Sequence, residues 1–600
     1  MKRHFASRCF ELLLCTLLAC SPNHATSNGG FTPDGSPVDG GWRSELFPRG
    51  WRPIHAGGRP TSDGRFLHDF AFAGYHRGDA PPVGAGNVTR ALSAADFGDG
   101  ASDATSAIQS AIDEACAAGG GVVLLSRGTF RVSFPAAVGA PALRIACSRL
   151  VVRGAGSDAA GTRLLLDAGV ARQRAMILVK PRAYNGRTGS ATRPERHLVN
   201  DLLLPTRTLP LDAVDGFAVG DHIAIRTDLT DAFRAEHHMA ATSTGAGDLW
   251  PAATPASAGL TYLRRITAID VAAKTITVDA PTRHALTTHD NARAFKTTGY
   301  IDEIGLEGFA IGMREHPTSA AGTNPGPLGD EADGAYDTTG TAAYDVHASS
   351  AIRVEGTRDA WISGVATYAP PMNTSGAHIL SIGLWLDDSS QRVTVQSCAI
   401  ERPQYRGGGG NGYAFLVQGA DHLIVDSRGA RARHDFIVGS FSASGNVFLR
   451  SRTESPRYSD DTHRFLSHAN LYDAMVLDAA WLQSVNRGAE SSGAGFTATE
   501  DVYWNTEILA NHRTTVNAPA GFPAGVAIET AQWGWGYAIG TRAALGASAD
   551  VSTKSYTNSG WAKLDPGLPR DFVEGAGKGA TLEPPSLYVE QLRLRGARGE

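Results

Sequence analysis

From residue 301 onward the chain keeps returning to one short pattern: an alternating, largely apolar strand, usually entered from glycine or a polar turn. It appears over Ile301 to Ile311, Ala360 to Val365, Val393 to Cys398, His422 to Ser427, Asn446 to Ser451, Met475 to Asp478 and Val502 to Asn505. Corresponding positions Val425 and Leu449 lie about 24 residues apart, a step typical of units that stack. One such unit cannot bury its own apolar face, whereas a stack can, because strands of successive coils lie about 4.8 Å apart and share a continuous core. A sandwich also has many short strands, but not this spacing. The pattern predicts an all-β solenoid of parallel strands.

Composition agrees with short strands and tight turns. The 600 residues include 69 Gly and 30 Pro, with no collagen-like triplet period. Hydrophobic residues make up 42% and charged ones 19%, enough apolar material for a large core and too much for a disordered chain. The formal charge is only -5 and no basic run stands out, so nucleic-acid binding is not expected. Lysine is confined to Lys2, Lys180, Lys274, Lys296, Lys554, Lys563 and Lys578.

The first 20 residues read as an export signal. Lys2, Arg3 and Arg8 flank the apolar stretch Phe10 to Ala19, which is too short to span a bilayer. It ends Leu17-Leu18-Ala19-Cys20, similar to a bacterial lipoprotein processing site, although Glu11 interrupts the apolar run and plain secretion is the alternative. The expected membrane association is only through a lipid anchor at Cys20. Processing there would leave Cys116, Cys147 and Cys398, an odd count that allows at most one bridge and rules out a cysteine-rich zinc site. The expected organisation is a flexible tether over 21–45, an N-terminal segment with a capping helix and first coils over 46–198, and a small antiparallel β insertion over 199–285. The main coils follow over 286–560 and a tail over 561–600.

The run Asp96-Phe97-Gly98-Asp99-Gly100 leads through Asp103 and Thr105 into an amphipathic segment with Ile108, Ile112 and Ala115 on one face. Gly119-Gly120-Gly121 then opens the strand Val122-Val123-Leu124-Leu125, followed by Arg127-Gly128-Thr129-Phe130. This stretch resembles the opening of the pectate-lyase-like right-handed parallel β-helix proteins, departing at Ala104, Ser126 and Phe130. The resemblance implies a right-handed single-stranded β-helix whose N-terminal end is capped by this helix, with Asp99 and Asp103 as loop and cap formers. It also raises carbohydrate chemistry as the expected function, on a fold that hosts lyases, hydrolases and non-catalytic adhesins. The Gly-His-Gly and Arg-Ile-Lys hallmarks of polygalacturonases are not visible, and residues 300–550 contain no Lys, which argues against a lysine-base lyase.

The repeat assigns chemistry to the turns. They contain Glu401 to Arg406, Arg431 to Asp435, Pro456 to Arg464, Asn486 to Glu490 and Asn511 to Arg513, with Arg433 and His434 one period from Arg457 and Tyr458. Stacked on one flank, these would form a groove for an extended extracellular polysaccharide. The candidate catalytic residues are His434, Arg457, Tyr458, Asp461 and His463; the candidate substrate-binding residues are Arg433, Asp435, Arg464, Arg487, Glu490, Trp533 and Trp535. For β-elimination from a uronate, Arg433 or Arg457 would stabilise the carboxylate while His434, Tyr458 or His463 takes the C5 proton. For hydrolysis, paired carboxylates among Asp435, Asp461 and Glu490 would serve. The convergence of His, Tyr and Arg favours elimination; a non-catalytic adhesin is the third reading. No cofactor or resident metal is expected, though Asp460-Asp461 beside Asp435 offers oxygens to calcium. Each of these residues has a bland alternative as a turn former, with His468, Asn470 and Asp473 read as ladder and turn contacts. Trp533-Gly534-Trp535 is either a sugar-stacking platform or a cap on the end of the stack.

Overall fold

The computed structural model describes residues 41–185, 195–239, 258–317, 335–488, 490–512, 525–553 and 570–600. Among them, three long parallel sheets run side by side, one of 13 strands and two of 10. Each coil gives one strand to each sheet in turn. Leu423–Val425 lies in the first sheet, Arg428–Ala430 in the second and His434–Val438 in the third, before Val447–Leu449 returns to the first. Parallel strands joined by such crossovers wind right-handedly. The repeating pattern is therefore the first-sheet strand of each coil, with one exception. Met475–Asp478 spans the start of a second-sheet strand, Val476–Ala480, and the first-sheet member of that coil is Leu471–Asp473.

Alternation along each strand sends one set of side chains into the hollow of the coil, where like residues stack. Phe415 lies 4.7 Å from Phe436, and Tyr472 lies 4.9 Å from both Phe448 and Tyr503. At the turn from the third to the first sheet a polar ladder replaces the apolar one. Asn446 N donates to Asn470 Oδ1, 24 residues on, and Asn470 N donates to Asp501 Oδ1, 31 residues on. The step thus lengthens along the stack while the vertical contact is kept.

The outer face of the first sheet is apolar as well, because it is covered. Phe70 and Leu67 of the segment 66–75 pack on Leu423, Val447, Leu471 and Trp504. Residues 570–600, within the expected tail, are packed on the solenoid. Phe572–Glu574 is the final strand of the first sheet, and the helix Leu587–Arg598 lies over the strap formed by 66–75, with Gln591 bonded to Phe70 N and His68 O. The tether also ends earlier than 45, since Trp42 N donates to Thr581 O at 3.0 Å. The leader over 1–20 and Cys20 lie outside the described residues.

At the N-terminal end, the helix Thr105–Ala117 buries Ile108, Ala111, Ile112 and Ala115 against the first coil. Asp99 accepts from Thr129 N and Asp103 from Thr105 N, so both act in the loop. Cys116 at the end of the helix is bridged to Cys147, while Cys398 is free and buried in the core.

The insertion is a six-stranded antiparallel sheet with its own apolar core. Its strands begin at Glu195 and end at Lys296, wider than 199–285. It is attached to the solenoid by apolar packing, through Phe441, Leu466 and Phe496, and by a fully buried ionic contact. Arg264 and Arg283 approach the two oxygens of Asp421 at 2.9 and 3.0 Å, and Arg283 also donates to Asp69 O of the strap. No helix among the described residues is long and apolar enough to cross a membrane.

Candidate functional site

The outer face of the third sheet carries a dense set of titratable side chains. Register stacks Ile437, Asp461, Gln483 and Glu529 in one column, and pairs Tyr413 with His434 beside it. The strand Asp460–Thr462 decides which carboxylate belongs here. Successive residues face opposite sides of a sheet. Asp461 points outward, while Asp460 turns in and accepts from the backbone N–H groups of Asp435 and Phe436.

Asp461 is the centre. Arg487 donates to its Oδ2 and also to Gln483 Oε1, which fixes the guanidinium against the sheet. His463 Nδ1 stands 3.5 Å, and His434 Nδ1 3.8 Å, from the same carboxylate. Burial opposes ionisation of Asp461, but the guanidinium of Arg487 more than offsets it and holds the carboxyl well below the usual range. His434 Nδ1 lies 2.5 Å from Ser459 O, which fixes its proton on that nitrogen, and burial pushes its pKa down to about 3. Burial likewise lowers His463. Both imidazoles are neutral near neutral pH. His463 differs in being half-buried at the edge of the face, whereas His434 lies beneath it.

Around this core, Tyr458 stacks on His434 with centroids 5.8 Å apart, and the guanidinium carbons of Arg433 and Arg457 lie 5.2 and 5.1 Å from the Tyr458 ring. Arg464 lies over Phe465 at 4.5 Å. The structure thus brings together His434, Arg457, Tyr458, Asp461 and His463 with Arg433, Arg464 and Arg487.

Four other expected residues stand differently. Asp435 faces the interior, where it accepts from Ala432 N, Thr453 Oγ1 and Glu454 N, and burial raises it to about 7. Its carboxylate is taken up by these bonds, away from the outer face, and Asp435, Asp460 and Asp461 cannot share a calcium ion, because Asp461 lies on the other side of the sheet. Trp533 packs between His237, His238 and Phe496, and Trp535 lies beneath the guanidinium groups of Arg65 and Arg570, so neither offers an open sugar platform. They do not cap the stack either, since Tyr537–Ile539 and Phe572–Glu574 follow. Glu490 opens a short helix, Glu490–Gly493, and its side chain lies outside those described, as does Arg513.

Three members were not legible beforehand. Tyr413 sits 5.5 Å from His434, with its phenol pushed up to about 12 by burial. Gln483 holds Arg487, and Glu529 accepts from Gln483 Nε2 at 2.6 Å. Gly407 to Gly410 and Gly412 signal a loop that changes the step before Tyr413, and the masking of that register hid it. His434, Asp461 and His463 place one ligand atom each within 4.8 Å of one another. His434 Nδ1 is engaged by Ser459 O and Arg487 occupies the carboxylate, so the set reads as an ion-paired dyad rather than an open cation site.

No protein-family model matches the chain, and no curated protein matches it. Solved structures are similar at a distance. An ORF18 protein of Geobacillus virus E2 matches with a TM-score of 0.36 and 10% identity over 76% of this chain, which spans 57% of that protein's length. DFA-IIIase from Arthrobacter chlorophenolicus A6 matches with a TM-score of 0.37 and 12% identity, over 76% of this chain and 79% of that one. The A-module of the mannuronan C-5 epimerase AlgE4 from Azotobacter vinelandii gives 0.28 and 12%, over 80% and 100%. The pairings of its own strands, three continuous parallel sheets entered in strict rotation, make this chain a right-handed parallel β-helix protein.

Proposed function

We propose that the chain is an exported, carbohydrate-active β-helix protein that cleaves a uronate-containing extracellular polysaccharide by β-elimination on the outer face of the third sheet. The observation that supports it is the linked set Arg487, Asp461 and His463. An ionised, buried Asp461 beside Nδ1 of a neutral His463 favours the tautomer with the proton on Nδ1, leaving the Nε2 lone pair as a base. In this reading Nε2 takes the C5 proton, the electrons form the C4–C5 double bond, and the bond from C4 to the glycosidic oxygen breaks. Arg433, Arg457 and Arg464 on the same face suit the substrate carboxylate on which charge grows. Tyr458 is the phenol placed to return a proton to the departing oxygen.

Hydrolysis is less well supported. It needs one carboxyl kept protonated beside the bond, whereas Asp461 is held ionised and the raised Asp435 faces inward. Export fits the Cys116–Cys147 bridge, since such bonds persist in oxidising compartments. A lipid anchor at Cys20 is part of this reading and rests on the leader-like residues alone.

The test is incubation with a panel of uronate polymers, following the ultraviolet absorbance of an unsaturated uronate and new reducing ends together. Elimination predicts that both rise, and that His463→Ala and Arg487→Ala abolish them with an unchanged folded spectrum. Reducing ends without absorbance would establish hydrolysis instead, and binding without either would leave an adhesin. Full activity in both variants would remove the site from this face.

A further inference from the structure

A second cleft, of about 450 Å³, opens where the strap, the insertion and the first-sheet side of the early coils meet. Its floor is a buried ion-paired set. Arg392, 4% exposed, donates to Asp279 of the insertion at 2.7 Å and lies 2.9 Å from Asp359 of the neighbouring coil. One wall is the strap turn, where Tyr75 and His76 both reach Glu303 at 2.5 Å and His76 N donates to Asp359. The rim carries Arg265 and Asp302.

Three features narrow the occupant. No apolar side chain lines the cleft, which disfavours an apolar ligand. Five carboxylates, Asp79, Asp279, Asp302, Glu303 and Asp359, face the guanidinium groups of Arg77, Arg265 and Arg392, which disfavours a bare anion; Asp279 and Asp359 are already bonded to Arg392, and Glu303 to Tyr75 and His76, so they do not form an open cage for a bare cation. Burial, with Arg358 nearby, pushes His222 on the insertion wall down to about 4, which leaves it a neutral hydrogen-bonding group. What remains is a fixed array of donors and acceptors beside one aromatic surface. The His76 ring is stacked on buried Tyr75 at 4.2 Å, and its side chain is 46% exposed. Hydroxyl groups around an apolar ring face fit that combination.

We propose that this cleft is a second saccharide-binding site, for a neutral polyhydroxylated ring, separate from the third-sheet face and independent of whether that face cleaves. The strap turn is left-handed at His76 and Arg77, with φ of 43° and 67°, a strained backbone of the kind that gathers at functional sites.

The experiment titrates the full chain with the neutral disaccharides cellobiose, maltose and lactose by saturation-transfer NMR and calorimetry. The variants are His76→Asn, which keeps a residue tolerant of the left-handed backbone, Arg265→Ala at an exposed position, and Arg487→Ala on the third-sheet face. Binding of at least one disaccharide is expected, weakened about tenfold or more by His76→Asn and by Arg265→Ala and unchanged by Arg487→Ala. Unchanged thermal unfolding in the two cleft variants ties any loss to the site. Absence of binding by all three sugars, or binding that survives the cleft variants, overturns the proposal.

Discussion

Asp460 and Asp461 are adjacent and chemically identical, yet the pleat gives them opposite fates. One shares the interior with Asp435, and burial together with the charge of Asp435 drives its pKa well up. The other lies buried on the outer face of the sheet, where it meets Arg487 and stays ionised. Removing the outward charge should therefore matter for chemistry. Asp461→Asn should lower turnover about 100-fold or more, since His463 loses the carboxylate that orients it. Asp461→Glu should rescue part of that loss, because it restores a carboxylate beside Arg487, although at a displaced position. Steady-state rates of the three proteins on one cleaved polymer check both outcomes. The sequence offered His434, Asp461 and His463 as chemically apt residues, and the structure brings the three together. The sequence could not separate Asp435 from Asp461, because sidedness depends on where the strand begins.

The polar ladder shows the same dependence on the element as a whole. His422, Asn446, Asn470, Asp501 and Gln532 occupy equivalent turn positions, each accepting from the backbone of the coil before it. Asp501 fits this role poorly, since its Oδ2 is buried without a partner and burial raises its pKa well above normal. Asp501→Asn should stabilise the fold by about 1 kcal/mol or more at neutral pH, read by urea unfolding. His422 illustrates the sign of a buried base. Its Nδ1 accepts from Val393 N, and burial pushes its pKa from 6.5 to about 3. The unfolded chain takes up that proton first, so the stability is complete above pH 6.5 and is lost as pH falls towards 3, by about 1.4 kcal/mol per pH unit. His422→Asn keeps an acceptor and cannot protonate. Its stability relative to the parent should rise steadily as unfolding is measured from pH 6.5 down to pH 4.

At the scale of the molecule, three chain segments far apart in sequence are fastened at one point. Asp421 of the solenoid faces Arg264 and Arg283 of the insertion, and Arg283 reaches the strap. Asp421→Ala would strand two buried guanidinium groups and should cost about 3–5 kcal/mol. Calorimetry should show the melting temperature falling, with the insertion losing protection in hydrogen exchange before the coils do. By itself the sequence determined the solenoid and the capping helix, because a period near 24 residues and short alternating strands admit few ways to bury apolar surface; it limited the cysteines to at most one bridge without saying which two would pair. Only the tertiary structure decided which flank each turn joins. It turned Asp435 inward, spent Trp533 on the insertion, and placed the C-terminal helix over the strap that covers the first sheet. The reason is physical: periodicity is a local property of the chain, whereas the face a side chain presents depends on coil lengths that vary from one turn to the next.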